Sequence, residues 1–92
     1  MIKSFKHKGL ERFFISGSKK EIQPVHAAKL ARILDRLDAS ITVHDMALPA
    51  FKLHQLSGNE KDIWSVWVNG NWRVTFCFEN GDAYIVDYRD YH

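Results

Sequence analysis

The sequence predicts an α+β fold: a short N-terminal strand, two helices, then an antiparallel β-meander packed against the helices. Three observations carry this expectation. Apolar residues recur at helical spacing only in the first half, at Leu10, Phe13 and Phe14 and again at Leu30, Ile33, Leu34 and Leu37. From residue 51 onward the period changes to two. Asn69-Gly70-Asn71 and Asn80-Gly81-Asp82 punctuate that second half with residues that hairpin turns favour.

Taken in order, residues 2–6 read as a short strand, too sparse in apolar positions to be central. Leu10, Phe13 and Phe14 form the stripe of a short helix, and Gly17 suits its left-handed cap. A second helix begins near Pro24, which a first turn tolerates. Its other side carries Lys29, Arg32, Asp35 and Arg36, a solvated surface. Residues 39–50 lose the periodicity and read as a loop with one helical turn around Val43–Ala47. Lys52–Leu56 is expected as a strand, with Ser57-Gly58-Asn59 as its turn. Trp64–Val68, Trp72–Phe78 and Ala83–Tyr88 complete the meander. The helices are expected to cover one sheet face and leave the other for function.

The chain has 92 residues, enough for one domain spanning 1–92. Hydrophobic residues make up 46% and aromatics 13%, so a core is available and disorder is excluded as the main state. One cysteine argues against a disulfide scaffold and for a reducing, cytoplasmic setting. Apolar runs are short, which leaves no membrane span. The charged start, Met1 to Lys8, has no apolar stretch behind it and does not read as a secretory signal. The net charge of +2 conceals an asymmetry: residues 1–50 hold nine Lys/Arg and five Asp/Glu, residues 51–92 four and six. An excess this modest does not by itself mark a nucleic-acid binder.

Alternation places Arg73, Thr75 and Cys77 opposite Trp72, Val74, Phe76 and Phe78. With the aromatic side as core, Arg73 projects from the open face. There it either pairs with a carboxylate such as Asp87 or Asp90, or aims its planar fork at phosphate. The chain closes on Asp87-Tyr88-Arg89-Asp90-Tyr91-His92, polar, aromatic and titratable. His92 is the side chain suited to proton transfer near neutrality. His54 shares strand parity with Lys52, and both would project with Arg73 if their strands join one sheet. Trp67, out of phase with Trp64, is the tryptophan expected to be exposed or to stack on a base. The five histidines show no metal-binding spacing, and the single cysteine cannot build a zinc cluster, so no metal or cofactor is expected.

Phe51-Lys52-Leu53-His54-Gln55-Leu56-Ser57-Gly58, the run from Trp64 to Phe76 and the closing Asp90-Tyr91-His92 resemble HigB toxins of the RelE/ParE superfamily. Ile2-Lys3-Ser4-Phe5 and Gly9-Leu10 match as well. The resemblance implies a ribosome-dependent mRNA endonuclease, neutralised by a HigA-like antitoxin of helix-turn-helix type. It also implies that operator DNA is reached only through that antitoxin. Metal-free cleavage of RNA needs a base, an acid and a cation at phosphorus. On this reading His92 transfers the proton and Arg73 stabilises the phosphate. His54 is the second proton-transfer or orienting group, Asp90 fixes an imidazole, and Tyr91 packs against or bonds the substrate. Lys52, Lys61 and Trp67 are the expected RNA contacts. Family members often carry a basic residue where this chain has Ser57, a loss that Lys52 or Lys61 would offset. A non-catalytic binding module and a ParE-like gyrase inhibitor are the competing readings. The terminal Asp-Tyr-His and His54 argue against the latter.

Overall fold

A computed structural model describes residues 1–60 and 62–91. Helix α1 spans Lys8–Ser16. The His7 imidazole caps it by accepting from the Leu10 N–H at 2.9 Å. It ends at Gly17, whose φ of 80° is the left-handed conformation that glycine adopts without a Cβ penalty. After a 3₁₀ turn at Pro24–His26, helix α2 spans Ala27–Ala39. Leu30, Ile33, Leu34 and Leu37 are completely buried, as their spacing requires. The expected turn in the following loop is a 3₁₀ turn at Val43–Met46, fixed by a capping box between Thr42 and Asp45. It delivers Met46 to the core.

Four strands follow: β1 (His54–Gln55), β2 (Trp64–Asn69), β3 (Trp72–Glu79) and β4 (Asp82–Asp90). They form an antiparallel sheet in the order β1-β2-β3-β4. Val66, Val74, Phe76 and Val86 face the helices and are fully buried. With Leu10, the α2 stripe, Met46 and Phe51 they make one core.

Two expected strands are corrected. The run over 2–6 is a pair of isolated parallel bridges to β4, Ile2 to Ala83 and Phe5 to Val86. Between them, β4 carries one extra residue relative to β3. Thr75 faces Asp87, but Cys77 faces Tyr84. Ile85 sits in this bulge at φ 47°, and its N–H donates to the Ser4 hydroxyl at 2.8 Å. A continuous ladder cannot run past such a kink. The strand expected over Lys52–Leu56 is only His54–Gln55, because Lys52 has a φ of 47° and leaves extended geometry.

The bulge also sets which side chains reach which face. Ala83 is buried before it, and Val86 and Tyr88 are buried after it. The one-residue phase change turns Asp87 and Arg89 away from the core.

Candidate functional site

Directly opposed residues of an antiparallel sheet project to the same side. The register therefore builds two rows on the face away from the helices. One row runs Trp67, Arg73, Arg89 across β2, β3 and β4. The other runs His54, Ser65, Thr75, Asp87 across all four strands. His54 and Arg73 thus lie on one face of one sheet, as strand parity predicted. Trp67 joins them and is half-buried.

The hairpin turn organises the first row. Its Gly70 carbonyl accepts from Trp67 Nε1 and from Arg73 Nη1, each at 3.0 Å. Arg73 Nη1 also donates to the Trp72 carbonyl at 3.0 Å. The Arg73 bonds go to neutral carbonyls rather than to Asp87 or Asp90, so its positive charge is not spent on a carboxylate among the described residues.

Trp67 gathers two further cations. Lys29 Nζ lies 4.2 Å and Lys52 Nζ 4.5 Å from its ring centroid, within cation–π range. Burial holds the Lys29 ammonium below the usual lysine range, and repulsion from Arg32 and Lys52 adds to the effect. Lys29 was not selected from the sequence, where it read as part of a solvated helix face.

Arg89 is the second residue that sequence reasoning missed. It lies directly across from Arg73, an arrangement of like charges that is destabilising without compensation. Nε donates to Asp87 Oδ2 at 3.2 Å, and Nη1 donates to Glu60 Oε1 at 2.8 Å and to the Tyr91 hydroxyl at 3.1 Å. Burial works against its charge, but the bond to Glu60 and the nearby acidic groups hold its pKa above the ordinary arginine value. Tyr91 therefore lies beside the first row, its backbone N–H donating to the Asn71 carbonyl at 2.8 Å. Asp90 faces Trp72 and so belongs to the opposite side of the sheet from Arg73. Counting parity along β4 from Tyr88 would have found both placements. His92 and Lys61 lie outside the described residues.

Ser65 and Thr75 floor the second row. Both are buried, and neither hydroxyl has a hydrogen-bond partner among the described residues. His54 is exposed at the row's end, with Nδ1 3.3 Å from the Lys52 carbonyl oxygen. Among the described residues no cluster of three metal-ligating side chains occurs, and no helix is long and apolar enough to cross a membrane.

The arrangement gathers the guanidiniums of Arg73 and Arg89 and the ammoniums of Lys29 and Lys52 around the Trp67 ring, with the His54 imidazole at its end. It can bind a phosphate through a planar fork, stack a base and move a proton. A separate apolar hollow of about 480 Å³ lies between α1 and α2, lined by Phe13, Phe14, Ala27, Ala31 and Leu34, and shares no residue with this face.

Residues 3–92 match a family model described as the RelE-like toxin of type II toxin-antitoxin system HigB. A Proteus vulgaris protein named Endoribonuclease HigB is 46% identical over 95 aligned residues, which cover the whole of both chains.

Proposed function

This chain belongs to the HigB-like toxins of type II toxin–antitoxin systems, and from that premise we propose that it is an endoribonuclease that cuts mRNA on the ribosome without a metal ion. The observation that carries the reading is the row of Trp67, Arg73 and Arg89 with His54 on the same face. In the proposed step a 2′-hydroxyl attacks the adjacent phosphorus. A base removes its proton, and an acid protonates the departing 5′-oxygen. The products are a 2′,3′-cyclic phosphate and a 5′-hydroxyl.

Arg73 neutralises the charge that gathers on the phosphoryl oxygens, using the fork that its carbonyl partners leave cationic. His92 and His54 divide the proton transfers, and Tyr91 meets the substrate from beside Arg89. Asp90, opposite Trp72 in the ladder, fixes an imidazole of the proton-transfer pair. Lys52, Lys61 and Trp67 hold the flanking RNA. A net charge of only +2 suits a substrate presented by the ribosome. A HigA-like helix-turn-helix antitoxin would restrain the toxin in the cytoplasm and connect it to operator DNA.

The test maps cut sites and product ends on programmed ribosomes for the wild type and His92→Gln. Cyclic-phosphate and 5′-hydroxyl ends, lost in the variant, are expected. Undiminished cleavage by His92→Gln would remove the assigned proton transfer, and 5′-phosphate ends would indicate different chemistry.

A further inference from the structure

We propose that Arg89 is a second phosphate-binding guanidinium, and that in the free protein Glu60 occupies it as a displaceable stand-in for the RNA backbone. The inference rests on the endoribonuclease reading and extends it to substrate entry.

Two arginines face each other on neighbouring strands, yet they are compensated very differently. Arg73 has carbonyl partners, whereas Arg89 has two carboxylates. These carboxylates are not equivalent. Asp87 projects from the same strand two residues away and is only 14% exposed on its side chain, so it is part of the sheet. Glu60 comes from a 3₁₀ turn at Gly58–Glu60, between β1 and β2 and outside the ladder, with its side chain 46% exposed. A pair with one half in water is held weakly and is open to exchange.

The donor geometry fits that exchange. Asp87 takes Nε, while Glu60 and the Tyr91 hydroxyl take Nη1; none of these bonds uses Nη2. An RNA phosphodiester presents two non-bridging oxygens that share one negative charge, and they match the outer edge of the guanidinium, Nη1 with Nη2. Entry of an RNA phosphate would replace one anion by another, with no covalent change, while Asp87 kept the guanidinium plane aligned. Arg73 and Arg89 would then grip the scissile phosphate and a flanking one, and the acidic turn would move off the face. Glu60 therefore acts as a competitor that excludes anions binding too weakly to displace it.

The test measures steady-state cleavage of ribosome-bound mRNA by the full-length toxin and its variants. Glu60→Gln keeps the shape and removes the charge. It is expected to lower KM severalfold, with the change confined to KM. Arg89→Gln is expected to raise KM and to flatten the dependence of log KM on log salt by about 0.7, the contribution of one phosphate contact on single-stranded RNA. In the Arg89→Gln background, adding Glu60→Gln should have no further effect. An unchanged KM in Glu60→Gln overturns the inference, as does a Glu60 effect that persists without Arg89. Wild-type cleavage in the same assay separates these outcomes from failure of the nuclease reading itself. Melting temperatures of the variants show whether any loss is merely structural.

Discussion

Tyr88→Phe isolates one hydroxyl in the wall behind the cationic face. The Tyr88 ring is 5% exposed and stacks on Trp72 at 4.4 Å between centroids, packing that phenylalanine retains. Its hydroxyl lies 2.6 Å from Nδ1 of the buried His26 and accepts from the Gln23 N–H at 3.3 Å. Removing it strands a buried ring nitrogen and a backbone donor, at a cost of about 1–3 kcal/mol. For a domain of this size each kcal/mol moves Tm by roughly 4–8 °C, so a loss near 1.5 kcal/mol lowers Tm by about 6–12 °C.

Acidity supplies a second readout of the same pair. Burial holds the His26 imidazole below the usual histidine range, so as pH falls the unfolded chain takes up that proton first. The neutral ring's stabilisation is whole above about pH 6.5 and is lost as pH drops through and below it. His26→Gln should therefore soften the fall in Tm between pH 7.5 and 5.5, followed by far-ultraviolet circular dichroism. A Tyr88→Phe shift below about 2 °C would refute the energetic assignment, being under the smallest cost expected for an orphaned buried group. An acid slope identical in wild type and His26→Gln would refute the linkage.

Two further outcomes follow from geometry already described. Arg73→Lys retains the charge but not the fork, and loss of one charge-assisted bond to substrate, about 1.5–3 kcal/mol, predicts roughly a 10- to 150-fold fall in kcat/KM on ribosome-bound mRNA, with a small fall in Tm from the altered bonds to the Gly70 and Trp72 carbonyls. Gly9→Ala adds a Cβ that would fall on the Cβ of Glu21 and lie 3.0 Å from His7 Cε1. Overpacking of about 1–3 kcal/mol should outweigh the roughly 1 kcal/mol gained in helix propensity, and chemical denaturation should report a net loss.

Sequence periodicity was most informative where one physical pattern acted alone. The α2 stripe buried the four leucine and isoleucine positions that its spacing marked, and alternation along β3 separated Arg73 from Trp72 and Val74 correctly. Parity grouped His54 with Arg73 on the condition that their strands join one sheet, and the register meets that condition. Pairing register was hidden, because it depends on partners distant in sequence. Arg89 acquires its meaning only by facing Arg73, and Ala83, Val86 and Tyr88 fall out of phase because of a bulge that no turn residue announces. Lys29 was missed for a related reason: its ammonium crosses from a helix to an indole on another element. Asp90 and Arg89 project to opposite faces of β4, a separation that the register with β3 fixes.

The N-terminal segment has a bearing on self-association. Ile2 and Phe5 bridge to β4, and the backbone bonds of Lys3, Ser4 and Lys6 to Ala83 and Val86 occupy amides that a bare outer strand would offer to another copy. At the opposite margin β1 is only two residues long, too brief a template for templated stacking. One rim is thus occupied along Ala83–Val86 and the other is short, while the broad surface between them stays free to receive a different kind of molecule.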